Sequence, residues 1–220
     1  MAWLHLVALM LIACFVLPHG NVKAIDFTRL QQAMQTLGGN KQNVIDWQRV
    51  MEESQAFSTN DKLRRINEFF NRRIQFRSDM EIWRQSDYWA TPLETLAKGA
   101  GDCEDFTIAK YFTLLHLGIP VEQLRLIYVK ARIGGTASNV QVAHMVLAYY
   151  PSPDAEPLVL DNLITDIRPA SRRSDLQPVF SFNSQGIFAG VEGHATVGSG
   201  GVQQLSRWSD LLQRAREQGF

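Results

Sequence analysis

The chain has 220 residues, 22 basic and 22 acidic side chains, zero formal net charge and 45% hydrophobic content. That is the composition of one globular domain with a sizeable core. The even charge balance removes any chain-wide electrostatic case for nucleic acid or an anionic membrane as a partner.

From the N-terminus, Ala2 to Leu17 are apolar except for His5. The run is short of the about 20 residues a membrane-spanning helix needs. Pro18 and Gly20 break it, and Val22 and Ala24 offer small residues at the −3 and −1 positions of a cleavage site. Residues 1–24 are therefore expected to be a secretory signal peptide, with 25–220 as the mature domain. No Lys or Arg precedes the apolar run, and Leu11 to Cys14 reads as a lipobox, so a retained anchor or a lipidated Cys14 is the alternative. Removal after Ala24 leaves Cys103 as the one cysteine of an exported protein, either a free reactive thiol or an inert buried one.

Lys41 to Phe57 and Asn60 to Asn71 carry apolar residues at helical spacing: Val44, Trp47, Val50 and Met51, then Leu63, Ile66, Phe69 and Phe70. The basic residues Lys62, Arg64, Arg65, Arg72 and Arg73 are expected to form a solvated helix face. Thr91 to Gly99 is a short helix with Thr91 as N-cap, Pro92 in its first turn and Gly99 as stop. Asp102 to Leu117 is apolar on most sides, as a central buried helix is, and Gly118 and Pro120 end it. The period then changes. Leu124 to Ile133, Val140 to Tyr150 and Pro157 to Leu163 read as strands, the first two joined as a hairpin through Gly134 to Asn139. Helices first and strands later predict an α+β fold. The glycine-rich stretch 183–203 is expected to be mobile, and Leu205 to Glu217 to form a closing amphipathic helix.

The chemistry gathers around "GAGDCEDF", Gly99 to Phe106. Cys103 falls in the first turn of the central helix, where the dipole and free N–H groups favour a thiolate and can donate to an oxyanion. Small residues ahead of it leave room for a substrate. His144, within a strand, and Asp161, ending an apolar run on the next, are ordinary residues singly. With Cys103 they match the nucleophile, base and orienter of a thiol enzyme. His116 sits too deep in the helix, and His194 in the glycine-rich stretch, to be better bases. Trp89 and Trp83 are upstream candidates for a second oxyanion donor. Asp102, Glu104 and Asp105 crowd the thiol with like charge, which disfavours its ionisation. They read either as helix caps and first-turn acids or as oxygen ligands of a hard cation that removes the repulsion. No EF-hand loop is present.

The segment from Tyr88 to Pro120, followed by "AHMVLAYY" and "LVLDNL", resembles the bacterial transglutaminase-like cysteine proteinases of the LapG type. The resemblance covers most of the chain after the leader and is most specific in the Gly-Asp-Cys-Glu-Asp string. It implies a papain-like fold with an N-terminal helical lobe and a C-terminal antiparallel sheet, a Cys103–His144–Asp161 triad, and calcium held by Asp102, Glu104 and Asp105. It further implies a periplasmic, calcium-dependent endopeptidase that cuts the N-terminal region of a large surface adhesin beside paired alanines, releasing biofilm cells. An inner-membrane cyclic-diguanylate receptor of the LapD type would sequester it. Two other readings use the same residues: a transglutaminase-like acyl transferase or amidase, whose acceptor is an amine in place of water, and a catalytically silent calcium-responsive binding protein.

Overall fold

The structure is a computed structural model and describes residues 25–135, 137–189 and 206–220. The expected leader, His194 and the glycine-rich residues from 190 to 203 lie outside the described residues.

Helix α1 (Phe27–Leu37) starts where the Asp26 carboxylate accepts from the Thr28 and Arg29 amides, buries Leu30 and Met34, and stops at Gly38. Helices α2 (Lys41–Ser54) and α3 (Thr59–Arg73) begin at Asn40 and Ser58, whose side chains accept first-turn amides. Among the basic residues of α3, Arg64 pairs with Asp61 on its own helix, while Arg65 and Arg73 reach across to Glu53 and Asp46 of α2. Lys62 departs from the expected solvated face, because its ammonium donates to the Leu117 carbonyl at the end of the central helix, 2.8 Å away.

The chain then builds the floor of the site. β1 (Gln75–Phe76), α4 (Asp79–Ile82), α5 (Pro92–Lys98) and β2 (Ala100–Gly101) lead into α6 (Cys103–His116). β1 and β2 pair in parallel, Gln75 against Ala100 and Phe76 against Gly101. α5 carries the Thr91 cap and Pro92 in its first turn, and ends at Gly99 with φ of 63°, a left-handed conformation that glycine adopts without strain. α6 is buried from Asp105 to Leu115, as its all-round apolarity implies.

The second half is a six-stranded antiparallel sheet, ordered β6-β5-β4-β3-β7-β8. β3 (Leu124–Arg132) and β4 (Gln141–Tyr149) form the expected hairpin, in register from Leu124↔Tyr149 to Arg132↔Gln141. β5 (Leu158–Leu160), β6 (Arg168–Pro169), β7 (Leu176–Phe182) and β8 (Ile187–Ala189) complete it. β8 lies inside the stretch expected to be mobile, which is a correction: Asn183 and Phe188 are buried, and the Asn183 amide donates to the Val121 and Leu124 carbonyls. A hairpin with buried anchors outweighs the low apolar density of its surroundings.

One face of the sheet packs on α6 in the main core, which holds Trp47, Phe70, Leu93, Ile108, Leu147 and Phe182. The other face buries a smaller cluster of Ile127, Val129, Val146, Ala148 and Val159. α7 (Ser206–Gln218) closes the chain by burying Trp208, Leu211 and Ala215. Its Arg214 donates to Glu94 and, at 2.7 Å, to the Trp89 carbonyl, clamping the loop ahead of α5.

Lys110, midway along α6, is 1% exposed, with its ammonium over the Phe106 ring. Burial pushes its pKa down to about 7, against the opposing pull of Asp161. The folded chain thus binds fewer protons here than the unfolded chain between about pH 7 and the ordinary lysine pKa. The contribution of this group to stability should rise with pH across that window. Lys110→Met is expected to raise the melting temperature at pH 7 and to flatten that rise. A variant with the wild-type pH slope in thermal melts would contradict the assignment.

Candidate active site

Gly101 sets the local geometry. A Cβ there would stand 2.6 Å from the Asp105 Cβ and 2.8 Å from its Oδ2. The small residue ahead of α6 thus makes room for a carboxylate. That packing requirement stands beside the expected access for substrate. The Asp105 side chain, fully buried, accepts from the Ala90 amide at 2.8 Å through Oδ1 and from the Asp102 amide at 3.3 Å through Oδ2. It ties the Trp89–Thr91 loop to the first turn of α6.

Cys103 opens α6 and is partly exposed. β5 pairs with β4 only at Leu147 to Tyr149, so the backbone of Met145 is free of that neighbour. The start of α6 takes the vacant place. Thr107 Oγ1 donates to the Met145 carbonyl at 3.0 Å, and the Met145 N–H donates to the Cys103 sulfur. The thiol therefore lies beside the strand residue that follows His144. In this structure Cys103 Sγ donates to Glu104 Oε2, 2.7 Å away. Burial, then the charge and hydrogen bond of Glu104, push the thiol far above its usual range. Without a compensating cation, the site holds a protonated thiol.

His144 is 3% exposed and its Nε2 lies 2.8 Å from Asp161 Oδ1. That bond assigns the proton to Nε2 and leaves Nδ1 as the basic nitrogen. Asp161 Oδ1 also accepts from the Leu163 amide at 3.0 Å, and Oδ2 from Arg173 at 2.7 Å. Burial alone would raise the Asp161 pKa. The hydrogen bond and charge of His144, then the Leu163 amide and Arg173, prevail and hold it at about 2. His116 is set aside as a base: it sits at the far end of α6, beside the Phe112 carbonyl at 2.7 Å.

The acids form two overlapping groups, Asp102–Cys103–Glu104 and Asp79–Asp102–Asp105, with one ligand-type atom from each member within 4.8 Å of the others. Asp79 is the member that sequence reasoning missed. It opens the four-residue helix α4, far along the chain from Asp102, and no motif spacing links the two. Its Oδ2 accepts from the Tyr88 amide at 2.6 Å, while its Oδ1 and the Oδ1 of Asp102 are buried without a hydrogen-bond partner among the described residues. Burial, reinforced by Glu104 and Asp105, pushes Asp102 up to about 9; burial likewise raises Asp79 and Asp105. Orphaned buried oxygens on clustered carboxylates fit a hard divalent cation. Helix capping accounts for Asp105 but leaves those two oxygens unexplained.

Of the two tryptophans, Trp89 is 8% exposed and stacks on Phe182, with ring centroids 5.7 Å apart. Trp83 packs on Tyr88 at 4.6 Å and receives the Lys98 ammonium at 5.1 Å.

No curated protein matches the chain in sequence. The solved structures that match it include three of Legionella pneumophila LapG, each 34% identical. One covers 87% of this chain and 98% of its own with a TM-score of 0.71. An EGTA-treated form has the same coverage with a TM-score of 0.74. A calcium-bound form covers 85% and 97%, with a TM-score of 0.71. The family described as bacterial transglutaminase-like cysteine proteinase matches residues 26–175, which hold Cys103, His144, Asp161 and all four clustered acids. The helical half, the antiparallel sheet and these matches together place the chain in the bacterial transglutaminase-like cysteine proteinases, as a LapG-type protease with a papain-like α+β fold.

Proposed function

We propose that the chain is an exported, calcium-dependent cysteine endopeptidase that uses Cys103 as nucleophile, His144 as base and Asp161 as orienter. The observation that carries it is the His144–Asp161 bond at 2.8 Å, which leaves Nδ1 as the basic nitrogen, while the Cys103 sulfur meets the backbone of the next strand residue, Met145. The Cys103 thiol gives its proton to His144 Nδ1. The thiolate attacks the scissile carbonyl, and a carbon–sulfur bond forms as the carbonyl electrons move onto oxygen. That oxyanion is met by the free N–H groups at the start of α6. Collapse breaks the carbon–nitrogen bond, and the leaving amine takes the proton from the imidazolium. Water then gives a proton to His144 and attacks the thioester; the carbon–sulfur bond breaks, the acid product leaves, and the imidazolium returns its proton to the Cys103 sulfur. Asp161 keeps its negative charge throughout, which stabilises the imidazolium and fixes its tautomer.

Asp79, Asp102, Glu104 and Asp105 would hold the calcium. When bound, the ion supplies positive charge that offsets carboxylate repulsion of the thiolate. Trp89 is the proposed side-chain oxyanion donor, since the Ala90–Asp105 bond ties its loop to α6. Trp89→Phe is expected to lower kcat by ~10-fold or more at a temperature where the variant remains fully folded. A rate within about threefold of wild type would remove the indole from the mechanism.

The proposed substrate is the N-terminal region of a large surface adhesin, cut in the periplasm. The proposed regulator is an inner-membrane cyclic-diguanylate receptor of the LapD type that sequesters the protease. The LapG matches across nearly their whole length support this reading. No helix among the described residues is long and apolar enough to cross a membrane. The test is digestion of an adhesin fragment with calcium and with chelator. Discrete cleavage in calcium alone is expected. An amine-dependent product with no hydrolysis would replace the endopeptidase reading with acyl transfer.

A further inference from the structure

Behind the His144–Asp161 pair stands a second layer of charge. Arg173 follows the short turn after β6, and its side chain is 1% exposed. Its Nη2 donates to Asp161 Oδ2 at 2.7 Å and to Asp175 Oδ2 at 2.8 Å. Its Nε donates to Asp175 Oδ1 at 3.0 Å, so the guanidinium edge is gripped by two atoms. The backbone is braced as well: the Arg173 amide donates to the Ala170 carbonyl at 2.9 Å, and the Asp175 carbonyl accepts from the Arg132 amide at the end of β3 at 2.8 Å. The row runs His144, Asp161, Arg173, Asp175 from the thiol side to the rim, where Asp175 is 33% exposed.

We propose that Arg173, fixed in plane by Asp175, is a positioning residue that keeps Asp161 charged and aimed at His144, and so sets which imidazole nitrogen faces the thiol. The inference rests on the proposed triad and deepens it. A buried carboxylate with no cation takes up a proton, and a neutral Asp161 neither fixes the tautomer nor stabilises an imidazolium. Arginine suits the task because it stays charged when buried and its planar fork holds one orientation. The groups facing Asp161 from the surrounding elements are His144 of β4, Lys110 of α6 and Arg173, with the like charge of Asp175 beyond the guanidinium. Of these, the guanidinium alone combines a direct bond to Asp161 with a charge independent of pH. A buried ion pair is a weak source of stability, and Arg173 Nη1 is buried with no partner among the described residues. Stability alone is thus a poor account of the residue.

The test uses the calcium-loaded full chain and Arg173→Met, Arg173→Lys and Asp175→Asn. Arg173→Met is expected to lower kcat by ~10-fold or more while KM stays within about twofold, and to move the acid limb of the pH–rate profile to higher pH. Arg173→Lys is expected to recover part of kcat, and Asp175→Asn to lower it by about threefold with the same pH displacement. A second readout needs no activity: nitrogen NMR of His144 in the Cys103→Ser background. It should show the proton on Nε2 in that protein and a mixture once Arg173→Met is added. Should Arg173→Met not fold, Asp175→Asn and Arg173→Lys carry the same kinetic and spectroscopic test. Wild-type kcat, pH profile and tautomer in the folded variants, while Cys103→Ser and His144→Ala are inactive, would overturn the positioning role alone. Activity surviving in Cys103→Ser or His144→Ala would instead overturn the triad.

Discussion

Serine at position 103 is expected to abolish cleavage, lowering kcat by ~10³-fold or more with the melting temperature and calcium response near wild type. The side chains are close in shape, and a serine hydroxyl can keep the hydrogen bond that the thiol makes to Glu104 Oε2. What changes is acidity. The neighbouring carboxylates already penalise an anion at this position, through burial first and Glu104 second. An alkoxide would start from a far higher pKa than a thiolate, and the same His144 could not generate it at a useful rate. His144→Ala should fall by ~10²–10⁴-fold, the usual worth of a positioned base. Burst kinetics with an ester substrate should show stoichiometric acyl-enzyme in the wild type and none in Cys103→Ser. Comparable turnover by the serine variant would remove Cys103 as nucleophile.

The parts of this arrangement readable in the sequence are those with a local signature. The Thr91 cap, Pro92 and Gly99 bound α5, and near-continuous apolarity marked α6 as central. α1 carried comparable signals in Asp26, Leu30, Met34 and Gly38, but its run is short and mostly polar, and it gains its place through packing. β7 was hidden by Pro178. That residue sits where the β3–β7 register shifts between Tyr128 and Val129, the irregularity that lets a strand accept a proline. Asp79 and Arg173 were illegible for a different reason. Each reaches its partners through a turn, Asp79 to Asp102 and Arg173 to Asp161, and no periodicity encodes such a meeting. The acids beside Cys103 were visible, but their division of labour was not. Asp105 takes two backbone amides, whereas Asp79 and Asp102 each keep an oxygen with no partner among the described residues, and neither fact is written in the order of the residues.

Removing calcium is expected to stop cleavage reversibly, and Asp79→Ala or Asp102→Ala to reproduce that loss with His144, Asp161 and Cys103 untouched. The Asp79 and Asp102 Oδ1 atoms are buried with no hydrogen-bond partner among the described residues, and each of the two carboxylates brings one oxygen within 4.8 Å of one of Asp105. Such a set is costly to fold when ionised and empty of cation. The sign of the pH effect follows. Burial, then Glu104 and Asp105, push Asp102 up to about 9 in the folded chain, from an ordinary value of 3.8. Between those values the folded state binds the extra proton, so chelated protein should lose stability as pH rises from about 4 toward 9. Calcium binds the deprotonated set and should cancel that loss. At a free concentration ~100 times its dissociation constant, it should add roughly 2.7 kcal/mol. Magnesium should replace it poorly, because it demands a tight octahedron and gives up water reluctantly. Glu104→Ala separates the two consequences of the ion. It frees the thiol of its acceptor and removes one acid, while Asp79, Asp102 and Asp105 stay grouped. Calcium should therefore still stabilise Glu104→Ala, whereas Asp79→Ala should lose most of the shift. The comparison is thermal melting at pH 6 and pH 8.5 alongside peptide cleavage, with calcium and with chelator, on wild type and these variants. If calcium moves neither quantity in the wild type, the acids are caps and first-turn charges of α4 and α6, and the thiol's repression by Glu104 must be relieved by substrate alone.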